Sequence, residues 1–331
     1  MKILITGGSG FIGTNLIEGL LNKGYTEIVN LDKAKPLNSK QNAFWVEGNI
    51  MNFEQIRNIF QTHQPEVVIH LAARTDTLSS ILSDYDENML GTKHVLDAIQ
   101  LTPTVKRSII TSTQYVYKSL SKPFPDADNE YVPHTVYGKS KEITEEYTRK
   151  ANLSCMWTII RPSNIWGPWH MRYPQELWKM IDKGLYFYPG NKPVVRTYGY
   201  VGNIVHQYIA VMEASQERID KKTFYVGDSP IDSFIWLNTI SKQLKNKELS
   251  RLPIFFFQGL SFAGDILRML GIKFPLYAER FHNMIEDYYA PTNITVAEFG
   301  VANNNIEENV AATIKWIKTE GKPFFEYWKS K

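Results

Sequence analysis

The chain has 331 residues, of which 43% are hydrophobic and 21% are charged, a composition typical of a soluble globular enzyme with a sizeable core. The formal net charge of +3 is too small to indicate nucleic-acid binding. Cys155 is the single cysteine, which excludes an internal disulfide framework and favours a reducing, cytoplasmic compartment. The seven histidines show no metal-binding spacing, so we expect no metal site.

Short β-branched runs alternate with helical patterns through the first half of the chain. The runs predict strands at residues 2–6, 27–31, 43–48, 66–73, 107–113 and 155–162, and the patterns between them predict helices at about 12–23, 52–63, 79–101 and 135–151. Strands that are apolar throughout and separated by helices indicate a parallel sheet covered on both faces. The sequence therefore predicts an α/β fold with a doubly wound parallel sheet of the Rossmann type.

A glycine-rich turn follows the first predicted strand, with Gly7, Gly10 and Gly13 spaced three apart. In a dinucleotide-binding turn the first glycine permits a tight turn, the second lets the backbone approach a pyrophosphate, and the third lets the helix pack closely. The helix start at Phe11 and Ile12 supplies amide hydrogens and partial positive charge to the phosphates. The turn therefore predicts a dinucleotide site.

Asp32 ends the second predicted strand, 19 residues after Gly13. A carboxylate at this place binds the adenosine ribose hydroxyls and repels a 2′-phosphate, so Asp32 favours NAD over NADP. Lys33 and Lys35 lie next to it and soften that preference. A turn that merely connects strand to helix is the alternative, which the strand, the helix and the distal acid in register disfavour.

Tyr137 and Lys141 lie four residues apart in a predicted helix and so share one face. Ser112 and Thr113 lie at the carboxyl end of a predicted strand, the edge at which open parallel sheets bind ligands. The pKa of an isolated tyrosine is about 10, and a nearby ammonium with a positively charged nicotinamide ring favours the phenolate. We therefore expect Tyr137 to exchange a proton with a substrate hydroxyl.

The chain changes character after about residue 165, where Trp, Tyr, Phe and Pro become dense and the remainder is mostly helical in pattern. This change predicts a smaller, mostly helical, substrate-binding lobe. We expect a dinucleotide-binding domain at 1–165 with a returning segment at about 195–230, and the lobe at 166–194 and 231–331.

The most apolar stretch of the chain, residues 252–276, is interrupted by Asp265, Arg268 and Lys273. A membrane-spanning helix needs about 20 consecutive, predominantly apolar residues, so we predict no stable membrane insertion. The stretch is expected to form a buried or interfacial helix, with peripheral contact to a membrane surface as the alternative.

Together these motifs resemble the extended short-chain dehydrogenase/reductase family, in its nucleotide-sugar epimerase/dehydratase branch. The resemblance covers nearly the whole chain and is carried by TGGSGFIG (6–13), HLAA (70–73), NMLGTKHVLDA (88–98), YGKSK (137–141) and RPSNIWGP (161–168).

The resemblance implies roles for individual residues. Tyr137 would be the acid/base, Lys141 would hold the nicotinamide ribose, and Thr113 would bond the substrate's reacting oxygen, with Ser112 as the competing candidate. The residues expected at the cofactor are Gly7, Gly10, Phe11, Ile12, Gly13, Asp32, Lys33, Asn49, Ile50, Leu71, Ala72, Ala73, Asn88, Ser112, Tyr137, Lys141 and Pro162. Of these, Asn88 is expected behind residues 71–73, where it would support the site. The residues expected at a nucleotide-diphosphate sugar are Thr75, Thr113, Gln114, Asn164, Arg196 and Arg280. For both arginines, a solvated surface charge is the alternative.

The residues after Thr113 bear on the reaction. Dehydratases of this branch carry an Asp-Glu pair there, whereas this chain has Gln114 and Tyr115, which disfavours elimination. The resemblance therefore implies C4 epimerisation through a 4-keto intermediate, in a surface-polysaccharide pathway. The alternatives are a 4-ketoreductase, a 4,6-dehydratase and a non-catalytic cofactor-binding module. The helices near 79–101 and 135–151 match a four-helix interface of relatives, which implies a homodimer.

Overall fold

A seven-stranded parallel sheet forms the centre of the protein, in a computed structural model that describes residues 1–117, 128–272 and 274–329. All neighbouring strands in it pair in parallel, in the order β3-β2-β1-β4-β5-β6-β11. Its strands are β1 (Ile3–Thr6), β2 (Ile28–Asp32), β3 (Trp45–Glu47), β4 (Val67–His70), β5 (Arg107–Thr111), β6 (Met156–Pro162) and β11 (Lys222–Val226). The strand order reverses at β1, so the doubly wound α/β fold predicted from the sequence is confirmed.

Four helices lie between the strands of the first half: α1 (Phe11–Asn22), α2 (Phe53–His63), α3 (Asp86–Gln100) and α4 (Val136–Lys150). The prediction of a helix from residue 79 was wrong at its start, because only a 3₁₀ turn at Leu82–Tyr85 precedes α3. The side chains of Asp76 and Ser79 accept hydrogen bonds from the backbone amides of Leu78 and Ile81. Such local turns compete with helix formation.

The second half of the chain adds short strands and mostly helices. A π-helical turn at Pro174–Trp178 precedes α5, and three two-stranded ladders join β7 to β10, β9 to β12 and β8 to β13. The strands are β7 (Asn164–Trp166), β8 (Tyr188–Pro189), β9 (Val195–Arg196), β10 (Tyr198–Tyr200), β12 (Ile231–Asp232) and β13 (Arg251–Leu252). The helices are α5 (Lys179–Asp182), α6 (Val201–Glu213), α7 (Gln216–Ile219), α8 (Ser233–Lys245), α9 (Ile254–Met269), α10 (Ala278–Ile285), α11 (Thr292–Phe299), α12 (Ile306–Lys318) and α13 (Glu326–Lys329).

The core consists of two layers on the sheet and an aromatic cluster in the lobe. Ile3 and Ile5 of β1 pack with α1 and α6 on one face, whereas Leu4 packs with α2 and α3 on the other. This alternation follows from the two-residue period of a strand. Trp166 and Trp236 belong to the separate aromatic cluster. Across the three described ranges, no helix combines the length and apolar character needed to cross a membrane.

Candidate functional site

A cavity of about 1360 Å³ lies at the carboxyl ends of the central strands, between the sheet and the lobe. Most residues predicted from the sequence to contact cofactor or substrate line it, although they come from distant parts of the chain. Those on its wall are Gly7, Gly10, Phe11, Ile12, Gly13, Asp32, Lys33, Asn49, Ile50, Leu71, Ala72, Ala73, Thr75, Ser112, Thr113, Tyr137, Lys141, Pro162, Asn164, Arg196 and Arg280.

The glycine turn packs directly on the chain that follows β4. Gly7 has a φ of +73°, and a Cβ there would lie 2.6 Å from the backbone nitrogen of Ala72. Only glycine meets both conditions, the left-handed backbone and the close approach. The turn ends at Gly10, the N-cap of α1, and the amides of the helix's first turn have no intrahelical partner. This end of the cavity is therefore suited to an anion.

Asp32 is fixed at the next strand end. Its carboxylate accepts hydrogen bonds from the backbone amides of Ser9, at 3.0 Å, and Ala34, at 2.9 Å. The neighbouring Lys33 forms an ion pair with Glu87 of α3. The Glu87 carboxylate therefore offsets the positive charge that Lys33 places beside Asp32.

The start of α4 is held against the turn after β5. The Thr135 hydroxyl caps the helix by accepting from the amide of Gly138 at 2.9 Å. A Cβ at position 138 would clash with the carbonyl oxygen of Tyr115, so the glycine permits this close approach. The approach places Tyr137 beside Thr113, whose hydroxyl hydrogen-bonds the phenol.

The environment of Tyr137 keeps its phenol protonated in the protein alone. Burial raises the pKa of Tyr137 well above its ordinary value, and the hydrogen bond with Thr113 opposes that shift. The sequence predicted that a nearby ammonium favours the phenolate, but in the structure the effect of burial on the pKa of Tyr137 is the larger one. A ligand that brings positive charge into the cavity would lower the pKa again.

Lys141 is a buried cation on the same wall. Its side chain is 2% exposed, and burial lowers its pKa to about 8, against an opposing effect of Glu145. Within the described residues its ammonium forms no hydrogen bond or ion pair, and the buried hydroxyls of Ser112 and Ser163 also have no partner. Buried polar groups normally have partners, so this wall fits a ligand that carries hydroxyl groups, such as a ribose.

Two of the predicted contact residues lie off the cavity wall. Asn88 is fully buried, accepts from the amide of Arg74 at 2.8 Å, and donates to the Ser140 hydroxyl at 2.9 Å. It joins the chain after β4 to α4, so it positions the wall instead of contacting a ligand. Gln114 is also buried, and neither of its amide atoms has a hydrogen-bond partner among the residues that the structure describes.

The two predicted arginines lie on the lobe side of the cavity. Arg196 donates to the main-chain oxygens of Asn283 and Glu286 near the end of α10. Arg280, in α10, donates to the oxygen of Pro275 at 2.9 Å. Both guanidinium groups are therefore anchored by carbonyl oxygens while their residues line the cavity.

Much of the lobe wall was not predicted residue by residue. Beyond the arginines this wall is mainly apolar, and its signals in the sequence were the aromatic-rich segment after residue 165 and the apolar stretch at 252–276. The missed residues are Leu185, Phe187, Leu252, Phe256, Phe257, Leu260, Leu276 and Tyr277, together with His170 and Arg172. The described part of the chain holds no cluster of His, Cys, Asp or Glu side chains that could bind a metal ion.

The cavity has the features of a dinucleotide-dependent enzyme, and comparison with known proteins identifies the family. Residues 3–227 match the NAD dependent epimerase/dehydratase family, and the chain belongs to this family. The family resemblance drawn from the sequence is thus confirmed, and the expected NAD agrees with the family's NAD dependence.

Several curated proteins are similar to the chain over somewhat less than two thirds of its length. An Escherichia coli O157:H7 protein, N-acetyl-alpha-D-glucosaminyl-diphospho-ditrans,octacis-undecaprenol 4-epimerase, is 33% identical over 212 residues, 62% of this chain and 61% of the relative. Protein CapI of Staphylococcus aureus is 30% identical over 62% of this chain and 67% of the relative. Human dTDP-D-glucose 4,6-dehydratase is 27% identical over 64% and 65%. The chain thus spans about two thirds or less of these relatives.

Solved structures agree with the fold over nearly the whole chain. A Thermotoga maritima UDP-glucose 4-epimerase with UDP-glucose has a TM-score of 0.71 at 23% identity, covering 97% of this chain and 99% of that one. A Bacillus cereus UDP-glucuronic acid 4-epimerase with NAD has a TM-score of 0.73 at 18% identity, covering 96% of both chains. These likenesses establish the architecture.

Proposed function

We propose that the protein is an NAD-dependent enzyme that epimerises C4 of a sugar joined to a diphosphate. The observation that carries this proposal is that Thr113, Tyr137 and Lys141 share one cavity with the glycine turn and Asp32. Proton transfer at a sugar hydroxyl and hydride transfer at the same carbon require these two sets of residues side by side.

The cavity wall offers a group suited to each part of NAD. The amides at the start of α1 would bind the pyrophosphate, Asp32 would bind the adenosine ribose, and Lys141 would bind the nicotinamide ribose. NAD bound there would supply the acceptor, and then the donor, of a hydride at the sugar carbon. Its positive ring would also lower the pKa of Tyr137 toward the working range.

Tyr137 moves the proton in this proposal. Its phenolate oxygen takes the proton of the C4 hydroxyl as the 4-keto sugar forms, and returns it once the sugar presents its other face. Thr113 hydrogen-bonds the same substrate oxygen and keeps it beside the phenol. The Lys141 ammonium stabilises the phenolate while it exists.

The lobe would hold the substrate while its sugar turns. Arg196 and Arg280 suit a diphosphate because planar guanidinium groups bind paired oxygens, and Asn164 lies on the same cavity wall. The sequence analysis expected a nucleoside on this diphosphate. The Escherichia coli O157:H7 relative is instead named for a lipid diphosphate sugar, so the diphosphate is the feature common to both substrate classes.

The same proposal covers the pathway, the compartment, the oligomeric state and the division into domains. Surface-polysaccharide biosynthesis in the cytoplasm suits a diphosphate-activated sugar, and α3 with α4 would form the interface of a homodimer. The division into a dinucleotide-binding domain and a substrate lobe follows the cavity, which lies between the sheet and the segments after residue 165.

The experiment that tests the function compares the wild type with Tyr137→Phe and with Tyr147→Phe, a tyrosine of the same helix off the cavity wall. Each protein is incubated with hexoses on nucleoside and prenyl diphosphates, and products are resolved by NMR. We expect the C4 epimer with no net change in NADH, from the wild type and Tyr147→Phe only.

Other outcomes would replace the proposal. Net consumption of NADH with a 4-keto sugar alone would identify a ketoreductase, and a 4-keto-6-deoxy product would identify a dehydratase, the activity for which several relatives are named. Equal behaviour of the wild type and Tyr137→Phe would identify a cofactor-binding module.

A further inference from the structure

Helix α9 presents a strongly apolar surface to solvent. Phe255 is 64% exposed, Phe262 69% and Met269 85%, and Ile266 and Leu270 are exposed as well. We call these five residues the α9 face. Four of them, at 255, 262, 266 and 269, recur at helical spacing and form one stripe. A phenylalanine has roughly 200 Å² of surface, so Phe255 and Phe262 alone expose about 250 Å², and the whole face reaches the size that marks interaction sites.

A surface helix usually buries its large apolar side chains and exposes its charged ones, whereas α9 does the reverse. Its buried positions are Phe257, Ser261 and Gly264, two of them small. Its two charged residues lie toward α10: the Asp265 carboxylate accepts from the amide of Ala278 at 3.3 Å, and the Arg268 guanidinium lies 3.8 Å from the ring of Tyr277. The charges therefore contact the protein while the largest apolar side chains face outward.

The α9 face continues into the cavity described above. Phe256 and Leu260 are each about half exposed, at 49% and 48%, and both also line the cavity. The mouth of the cavity on the lobe side is therefore bordered by the same apolar helix. Arg280 lies on the same wall and would meet a diphosphate that enters from this side.

Position points to one occupant, and docking there would rest on apolar side chains. The arginines near α9 have other contacts: Arg251 and Arg268 lie over the rings of Phe234 and Tyr277, and Arg280 lies on the cavity wall. A second copy or a protein partner seated on α9 would cover the mouth of the cavity. A bilayer surface would instead bring to that mouth any sugar whose carrier is embedded in it.

We propose that the α9 face docks on a lipid bilayer, and that the cavity takes a sugar whose diphosphate is anchored there by a lipid chain. The second half of this statement rests on the function proposed above. The apolar side chains lie within the headgroup region, as in helices that bind in the plane of a membrane. The apolar lobe wall receives the first carbons of the lipid chain, next to the arginines that bind the diphosphate.

Docking is tested by co-sedimentation with vesicles of phosphatidylethanolamine and phosphatidylglycerol. The triple variant Phe255→Ser/Phe262→Ser/Met269→Ser should bind at least about tenfold more weakly than the wild type, because three apolar side chains leave the lipid. The matched control, Ile235→Ser/Ile294→Ser, removes residues that are 50% and 67% exposed outside α9, and should bind like the wild type.

Equal sedimentation of the triple variant and the wild type, or a wild type that stays in the supernatant, would overturn docking. A wild-type dimer in lipid-free solution that the triple variant loses, without vesicle binding by either, would assign the α9 face to a second copy. Circular dichroism of the triple variant checks that it is folded.

Turnover separates this proposal from the proposed function. With a long-chain prenyl diphosphate sugar in vesicles, the triple variant should lose most of its rate, yet match the wild type on a short, water-soluble prenyl analogue. Vesicle binding without turnover of any diphosphate sugar would refute the function and leave docking intact. Turnover of nucleoside diphosphate sugars alone, without vesicle binding, would refute the lipid carrier and leave the epimerase intact.

Discussion

The central sheet and helix α9 have similarly apolar sequences but opposite fates. Ile5 and Ile69, on adjacent strands, are completely buried, whereas Phe262 of α9 is 69% exposed. The sheet strands alternate with helices that cover both faces, but within the described residues no element covers the outer side of α9. Apolar sequence therefore predicts burial only where the order of elements also supplies a covering layer, and elsewhere it indicates an interaction surface.

The largest effect should come from the sheet side, with Tyr137→Phe. Removing the phenol oxygen removes the group that exchanges the proton, so turnover should fall about a thousandfold while bound NAD is retained. Steady-state rates and the NAD released on denaturation measure the two quantities. Loss of NAD along with turnover would mean that the variant damaged the cavity, and unchanged turnover would exclude Tyr137 as the acid/base.

Lys141→Met should separate activity from stability in the same region. Turnover should fall about a hundredfold because the phenolate loses its cation. Since burial lowers the pKa of Lys141 to about 8 from 10.5 in the unfolded chain, its charged form costs the fold stability below pH 8. The variant should therefore be about 3 kcal/mol more stable at neutral pH.

The pH dependence of the free energy of unfolding tests whether the charge of Lys141 destabilises the fold. Between pH 8 and 10.5 the unfolded chain holds the proton that the folded protein has lost, so wild-type stability should rise relative to Lys141→Met. Denaturant titrations at several pH values measure it. Lys150→Met is the control, because Lys150 forms an exposed ion pair with Glu146 on the same helix, which contributes little. A wild type more stable than Lys141→Met at pH 7 would contradict the account.

A pair of glycine substitutions compares the two regions directly. Gly138→Ala should destabilise the protein by about 2 kcal/mol, because the new Cβ meets the backbone of Tyr115. Gly259→Ala, in α9 with nothing within 4 Å, should stabilise it by up to about 1 kcal/mol. Thermal unfolding measures both, and a cost at Gly259 as large as that at Gly138 would show that α9 is covered after all.

The smallest expected effect lies on the lobe side, at Arg280. Arg280→Gln should raise KM about tenfold with little change in kcat, because a charge-assisted contact to the diphosphate is lost. Arg218→Gln is the control, since Arg218 pairs with Glu298 and neither residue lines the cavity. An unchanged KM in the Arg280 variant would indicate that Arg280 is a solvated surface charge that does not contact the diphosphate.

The fold and the dinucleotide end of the site were predictable because local rules determine them. The glycine turn, the strand ends and the α4 face follow from backbone geometry and sequence spacing, so Gly7, Asp32 and Tyr137 reached one cavity as expected. The supporting place of Asn88 was expected from the family resemblance alone, since its side-chain amide joins Arg74 to Ser140 across segments distant in sequence. The exposure of α9 was also unpredictable, because it depends on which elements fail to cover the helix.

The central claim is that a hydride leaves and returns at C4 of the sugar while Tyr137 exchanges the proton of the C4 hydroxyl. A hexose labelled with deuterium at C4, supplied on a nucleoside or a prenyl diphosphate, tests this claim most directly when the product is examined by NMR. The account predicts that the inverted product keeps its deuterium at C4. Deuterium lost to solvent or found at another carbon would contradict it.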